Sequence, residues 1–130
     1  MFESLDFVYV ATDDVDATAR RYADELGAEP VWKVRGMGTV VACLRISDAG
    51  PHILLSGHLP PGPPILVYRV ADYAATVAGL RAAGLAVHEL EIPHGPCARV
   101  DAPGGQPYAV YEVTRPHNVN RFDGRFDEPV

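Results

Sequence analysis

What this 130-residue sequence lacks narrows its possible functions before any motif is considered. It has only two cysteines, Cys43 and Cys97, so it is not a disulfide-stapled protein, and two reduced thiols are typical of the cytoplasm. No apolar run approaches the roughly 20 residues that span a bilayer. The first residues lack the basic and apolar regions of a signal peptide. We therefore expect a cytoplasmic protein that has no membrane partner.

Positive charge is scarce as well. The chain has 11 Lys and Arg against 17 Asp and Glu, which gives a formal net charge of -6. Proteins that bind nucleic acid usually carry a basic patch or stripe, so nucleic acid is not an expected partner. The sequence also contains no CxxC, HExxH, P-loop or GxSxG motif, which excludes the enzyme and zinc-site classes that depend on them.

Glycine and proline are abundant, at 12 residues each. In a chain of this length they predict many turns joining short strands. Six residues, 59–64, contain four of the prolines and can form neither a helix nor a central strand. This segment is predicted to be a stiff linker between two halves of the chain.

The two halves repeat one another. Phe7–Asp14 and Ile65–Asp72 are apolar, strand-like runs that each end on an aspartate, 58 residues apart. Each aspartate can cap an Ala-rich helix, and a glycine, Gly27 or Gly84, follows each helix. The predicted helices are Val15–Leu26 and Tyr73–Ala83. Their apolar faces comprise Val15, Ala19, Tyr22 and Leu26 in the first, and Tyr73, Val77 and Leu80 in the second.

Three strand-like segments follow each helix, so each half is predicted to be βαβββ. They are Glu29–Met37, Thr39–Ile46 and His52–Gly57, then Ala86–Glu91, Cys97–Asp101 and Pro107–Val113. The predicted organisation is a first module at 1–58, the linker at 59–64, a second module at 65–113 and a polar tail at 114–130. A half of this size has too little core to be secure alone, so we expect one domain made of both. The modules could pair within a chain or swap between two chains, and the tail could be loosely held or docked on a neighbour.

The order and spacing of these features resemble the vicinal-oxygen-chelate superfamily, which includes glyoxalases, bleomycin-resistance proteins and extradiol dioxygenases. The resemblance covers roughly residues 4–113. It is carried by Leu5–Val10 with Asp14, Arg21-Tyr22, Leu26-Gly27, Val70–Asp72, Leu80, Ala83-Gly84 and Asp101–Gln106. It implies an α+β fold in which two βαβββ modules form a curved mixed sheet around a cup-shaped cavity, and it implies a homodimer.

Many members of the superfamily hold a divalent metal ion with four side chains from the first and last strands of the modules. By the resemblance, these positions are Phe7, Leu54, Ile65 and Ala109 in this sequence. None of these side chains has a metal-binding atom. A metal ion at the usual superfamily site is therefore not expected, and no cofactor is predicted.

The preferred hypothesis is a metal-independent protein that binds a small, partly aromatic or apolar molecule in the cup. Alternation along the strands predicts an apolar lining with a few polar groups, the usual composition of an organic-ligand pocket. Arg35 and Arg69 lie either at a solvated edge or, if one faces the cup, where it would hold a carboxylate or phenolate on the ligand. Trp32 would stack on the ligand or lie in the core or a dimer interface. The predicted ligand-binding residues are Phe7, Tyr9, Trp32, Arg35, His52, Leu54, Ile65, Arg69, His94, Cys97, Ala109 and Tyr111.

An enzyme is the main alternative. One version is a lyase, isomerase or dioxygenase with a non-standard metal site built from His52, His58, Glu91, His94 or Glu112. Another uses metal-free acid–base chemistry, for which His94, Tyr111 and Glu112 are the catalytic candidates. A dimeric scaffold or regulatory module without a small ligand is the third possibility.

Overall fold

The computed structural model describes residues 2–36, 38–102 and 104–127. Met37, the last residue of a predicted strand, and Pro103 lie outside these ranges. The elements run β1 (Phe2–Ala11), α1 (Val15–Leu26), β2 (Glu29–Gly36), β3 (Thr39–Arg45), β4 (His52–Ser56), β5 (Ile65–Val70), α2 (Tyr73–Ala82), β6 (Ala86–Ile92), β7 (Gly95–Asp101) and β8 (Tyr108–Tyr111). A short 3₁₀ turn, Pro116–Asn118, follows. The order βαβββ occurs twice, which confirms the predicted α+β fold class.

The chain forms two compact units. The first unit comprises residues 7–64 and the tail from Phe122 onward, and the second comprises residues 65–121 and the chain up to Asp6. The strand β1 therefore contributes its last five residues to the first unit and its beginning to the second. The last residues of the tail belong to the unit formed by the first half of the sequence.

In the first unit, the strands follow the order β2-β3-β4-β1. β1 pairs in parallel with β4, and the other neighbours are antiparallel. One face of these strands packs against α1 around Ala19, Ala42 and Leu55. Lys33, only 2% exposed, projects toward the same side and pairs with the Asp16 carboxylate of α1. This ion pair, buried at Lys33 and half-exposed at Asp16, ties the helix to the sheet.

In the second unit, the order is β5-β8-β7-β6. β5 pairs in parallel with β8, while β8, β7 and β6 are antiparallel neighbours. The face toward α2 is a core of buried side chains, namely Val70, Tyr73, Val77, Ala98 and Val110. The two units thus repeat the same pairing scheme with different core residues.

Both helices begin and end where the sequence chemistry predicts. Asp14 and Asp72 each accept a hydrogen bond of 3.0 Å from the backbone N–H three residues on. Gly27 and Gly84 have φ of 67° and 83°, the left-handed conformation that ends a helix at little cost for glycine. One helix-face prediction is wrong, because Leu26 is 53% exposed.

Candidate functional site

The second unit presents one face of its sheet away from α2. Strand alternation places Val67 and Arg69 of β5 on this face, because Val70 packs toward the helix. Their register partners on β8 are Ala109 and Tyr111, and Cys97 of β7 pairs with Tyr111. Apart from Arg69, these side chains are buried. Four of these five residues, all except Val67, belong to the ligand-binding set predicted from the sequence, and the structure brings them together.

Asp6 is the centre of a polar network on this face. Its Oδ2 accepts a hydrogen bond from the Arg69 Nε at 2.9 Å and another from the Tyr111 hydroxyl. Its Oδ1 accepts a bond of 2.6 Å from the Ser4 hydroxyl. The Arg69 guanidinium also lies over the Tyr111 ring, 5.9 Å from its centroid. The Asp6 side chain is 16% exposed and that of Arg69 is 38% exposed, so Arg69 is the part of the network that reaches the surface.

The network fixes the protonation states of its members. Burial alone would raise the pKa of Asp6, but hydrogen bonds from Ser4, Tyr111 and Arg69 outweigh it and the pKa is lowered. Burial and the neighbouring Asp6 carboxylate raise the pKa of Tyr111. At neutral pH the cluster therefore contains one carboxylate, one guanidinium and one neutral phenol, and its net charge is zero.

His94 stands beside this network at the tip of a tight hairpin. Ile92 and Gly95 pair directly, which leaves only Pro93 and His94 in the turn. The His94 ring lies edge-on to Tyr111, with 5.7 Å between ring centroids. Burial lowers the pKa of His94, so the neutral imidazole is favoured at physiological pH.

The segment after β8 holds this hairpin in place. Arg115 donates to the carbonyl oxygens of Ile92 and Pro93, at 2.7 Å and 3.1 Å, and Asn118 donates to that of Pro93 at 2.9 Å. The backbone N–H groups of Thr114 and Arg115 both donate to the His94 carbonyl at 3.0 Å. The imidazole is thus carried on a fixed backbone.

Glu112, a predicted catalytic candidate, is engaged elsewhere. Its Oε1 accepts a hydrogen bond of 2.8 Å from the backbone N–H of Tyr73 at the start of α2. This contact lies on the helix side of the sheet, as strand alternation predicts. A carboxylate here stabilises the N-terminus of α2.

The first unit has a corresponding face, turned away from α1. It presents Phe7 and Tyr9 of β1 beside His52 and Leu54 of β4, all four half-buried. Phe7 and His52 have ring centroids 6.3 Å apart. Trp32 of β2 belongs to the same face, because Lys33 next to it projects toward α1.

A second polar cluster lies at the end of this face. The buried Ser56 hydroxyl hydrogen-bonds the Nδ1 of His58, and the Tyr9 ring lies edge-on to the His58 ring. Burial raises the pKa of Tyr9, and its hydrogen bond to Ser56 opposes that rise. Ser56 is fully buried, so its hydroxyl orients His58 and does not meet a ligand.

The remaining predicted residues are placed less centrally. Ile65 begins β5 and is half-buried, whereas Arg35 is exposed on β2 and its backbone N–H donates to Asp127 at 2.9 Å. Both thiols are free and buried. Burial raises the pKa of Cys97 to about 11 and, together with the charge of Asp123, that of Cys43 to about 12. Cys97 is therefore an unreactive thiol at neutral pH.

The four positions at which the superfamily resemblance places metal ligands hold apolar side chains. Phe7 and Leu54 lie in the first unit, and Ile65 and Ala109 in the second. Among residues 2–36, 38–102 and 104–127, no three His, Cys, Asp or Glu side chains are placed to hold a metal ion together. The alternative site of His52, His58, His94, Glu91 and Glu112 is thus not assembled in these ranges.

Sequence reasoning did not single out Asp6, although it accepts three hydrogen bonds in the second unit. The available signal was a carboxylate inside the apolar run Leu5–Ala11, where an unpaired charge would be costly. The hydrogen bond between Ser56 and His58 was not predicted either.

No helix in the part of the chain that the structure describes has the length and apolarity needed to cross a membrane. No protein-family model matches the chain. No curated protein matches it in sequence either.

Solved structures do match the fold. Methylmalonyl-CoA epimerase from Mycobacterium tuberculosis superposes with a TM-score of 0.73 over 89% of this chain and 91% of that chain, at 21% identity. A methylmalonyl-CoA epimerase in complex with methylmalonyl-CoA and NH4+ gives 0.72 over 88% and 97%, at 18% identity. A hypothetical protein from Bacillus halodurans gives 0.70 over 84% and 93%, at 15% identity.

Identities this low establish the fold and leave the ligand open. The repeated βαβββ order, the strand pairing of each unit and the matching structures agree with one another. The chain has the fold of the vicinal-oxygen-chelate superfamily, as the sequence resemblance implies.

Proposed function

We propose that this protein binds a small organic molecule without using a metal ion at the usual superfamily positions. The observation that carries the proposal is the Asp6–Arg69–Tyr111 network, set among buried apolar side chains on the face of the second unit's sheet that is turned away from α2. A few oriented polar groups on an apolar wall are the usual design of an organic-ligand site. Residues without metal-binding atoms at the four expected positions support the metal-free form.

The charge balance of the network narrows the ligand class. Asp6 already neutralises Arg69 at 2.9 Å, so an anionic ligand would gain little net attraction and would meet the Asp6 carboxylate. A neutral carbonyl or hydroxyl can accept from the guanidinium without this repulsion. The ligand is therefore a largely apolar molecule with an uncharged polar end. The CoA esters bound by the matching epimerases carry several negative charges and are a poor fit to this cluster.

Two measurements test the proposal. Metal analysis of untreated protein is expected to find no stoichiometric divalent ion, and thermal-shift screening is expected to find neutral aromatic amides or ketones that raise Tm. Benzamide and benzoate serve as a matched pair of probes. Benzamide is expected to be preferred by the wild type, while Asp6→Asn, which leaves Arg69 unbalanced, is expected to shift the preference toward benzoate. A stoichiometric metal ion, or benzoate preference in the wild type, contradicts the proposal.

Arg99 supplies the matched control. It lies on the same face, paired with Ala109 on the neighbouring strand, and its own partner is Asp101 at 3.2 Å. Arg99→Gln removes the same charge as Arg69→Gln but leaves the Asp6 network intact. Only the Arg69 variant is expected to lose the response to the probe. If no small molecule shifts Tm, the scaffold hypothesis is favoured instead.

A metal-free enzyme is the second candidate, and His94 is the observation that favours it. A neutral imidazole on a fixed hairpin can take up a proton from a bound ligand. Methylmalonyl-CoA is the substrate probe for this candidate despite its negative charges, because the matching structures include epimerases of that ester. Deuterium incorporation from heavy water, followed by NMR, would reveal proton abstraction. Activity that His94→Ala abolishes while binding persists would establish the enzyme, and no exchange would favour the binding protein.

A further inference from the structure

A row of side chains crosses the open face of the first unit. Trp32 on β2 pairs with Cys43 on β3, Cys43 pairs with Leu54 on β4, and Leu54 pairs with Tyr9 on β1. Their sequence neighbours Lys33, Ala42, Leu55 and Val10 face α1, so alternation places the row on the opposite face. Neighbouring strands lie about 4.8 Å apart, so the row is roughly 14 Å long. It is apolar with an aromatic ring at each end.

The C-terminal tail lies along the β2 edge next to this row. Three backbone hydrogen bonds of 2.9 Å join the two segments. The N–H of Gly124 donates to the Val31 carbonyl, that of Lys33 to the Arg125 carbonyl, and that of Asp127 to the Lys33 carbonyl. Lys33 and Phe126 form a parallel bridge. The tail thus adds itself to β2 in the manner of a bound peptide strand.

This docking carries Phe122 onto Trp32. Their ring centroids are 5.4 Å apart at an interplanar angle of 62°, a favourable edge-to-face contact. Arg125 lies over the Phe122 ring, 5.6 Å from its centroid, and pairs with Asp127 at 2.9 Å. A phenyl ring held at this end of the row shows what kind of group the site accepts.

The tail contains two phenylalanines, Phe122 and Phe126, in the same local sequence. Residues 121–127 read Arg-Phe-Asp-Gly-Arg-Phe-Asp, the same tripeptide on both sides of one glycine. Phe122 is half-buried against Trp32, whereas Phe126 is 43% exposed. Two phenylalanines in one sequence context therefore differ in whether they lie against the row.

We propose that Trp32 and the adjoining row are a binding subsite for a flat, uncharged aromatic group, and that Phe122 is the group which such a ligand replaces. The subsite lies wholly in the first unit and goes beyond the proposed function. It has no residue in common with the Asp6 network and does not depend on what that network binds.

Trp32 is the only tryptophan, so its fluorescence reports directly on the subsite. The probe is 4-nitrobenzamide, a neutral aromatic quencher, with N-acetyltryptophanamide as the reference for collisional quenching. Phe122→Ala removes the competing ring and is expected to bind the probe about two- to tenfold more tightly than the wild type, the range expected for one aromatic pair. Phe126→Ala, the matched control, is expected to leave the affinity unchanged.

Equal affinity of Phe122→Ala and the wild type, or equal tightening by both alanine variants, overturns the proposal. Circular dichroism checks that the variants are folded, and Phe122→Leu, which keeps an apolar side chain but no ring, is the second variant should Phe122→Ala unfold. Arg69→Gln separates this proposal from the preceding one. It is expected to abolish the benzamide response and to leave the Trp32 quenching unchanged, so each site can fail without the other.

Discussion

Replacing Gly95 with alanine would place a methyl group in space that the chain already occupies. The added Cβ would lie 2.2 Å from the Glu112 carbonyl oxygen and 2.7 Å from the Thr114 hydroxyl. Gly95 also has a φ of +153°, which residues with a side chain rarely adopt. The neighbouring backbone is held in place by two hydrogen bonds. The Glu112 N–H donates to the Pro96 carbonyl at 3.2 Å, and the Thr114 N–H donates to the His94 carbonyl at 3.0 Å.

The expected cost has two parts. The strained backbone contributes about 1–3 kcal/mol, and forcing a methyl group into a filled site contributes about 1–3 kcal/mol. We therefore expect Gly95→Ala to lower the free energy of unfolding by about 2–6 kcal/mol. In a domain of this size, that corresponds to a fall in Tm of roughly 8–24 °C.

Urea unfolding followed by circular dichroism measures this change, and Gly79→Ala is the matched control. Gly79 lies in α2 with nothing within 4 Å of an added Cβ, so alanine there is expected to stabilise the helix by about 0.5–1 kcal/mol. The two glycine-to-alanine changes thus have opposite expected signs. A Gly95→Ala variant as stable as the wild type would refute the reasoning from the close contact with Glu112.

Three further predictions concern the helix cap, the thiols and the histidine. Asp72→Ala removes the 3.0 Å bond to the Ala75 N–H and should lower the free energy of unfolding by about 1 kcal/mol in the same assay; an unchanged value would deny the cap its role. With pKa values of about 12 and about 11, Cys43 and Cys97 should react with a thiol reagent at about pH 8 only after urea is added; fast labelling of the native protein would contradict their burial. The pKa of His94 is lower in the folded protein than the value of about 6.5 in the unfolded chain. As the pH falls below about 6.5, the unfolded chain takes up a proton first, so the free energy of unfolding decreases. His94→Gln should therefore flatten the decline in stability between about pH 7 and pH 5, and an equally steep decline would argue against a buried neutral imidazole.

Sequence reasoning succeeded where local chemistry decides the structure. The capping aspartates, the glycines that end the helices and the turn-forming residues predicted most element boundaries within one or two residues, because each acts on its own neighbours. Two strand starts were misplaced by two residues or more. β1 begins at Phe2 and not at Phe7. β7 begins at Gly95 and not at Cys97, since Pro96 uses its carbonyl, which proline retains, to accept from Glu112.

What could not be predicted depends on pairs that lie far apart in the chain. Asp6 meets Arg69 across 63 positions and Tyr111 across 105, and no local pattern specifies either pairing. The tail was recognised as polar, with Phe122 and Phe126 as its apolar points. The tail pairs with β2 through backbone N–H and carbonyl groups. Because every residue has such groups, composition could not predict this pairing.

The seating of residues 122–127 along β2 has a practical consequence for handling the protein. The tail occupies backbone groups of Val31, Lys33 and Arg35 that would otherwise form an open strand edge. Exposed edges of this kind recruit other strands and promote aggregation. If a trypsin-like protease cleaves the chain near Arg121 and the tail dissociates, both helices and their cores would remain. The edge of β2 would then be exposed and able to pair with strands of other molecules. Turbidity on storage would then signal the loss of a few terminal residues, well before any spectroscopic sign of unfolding.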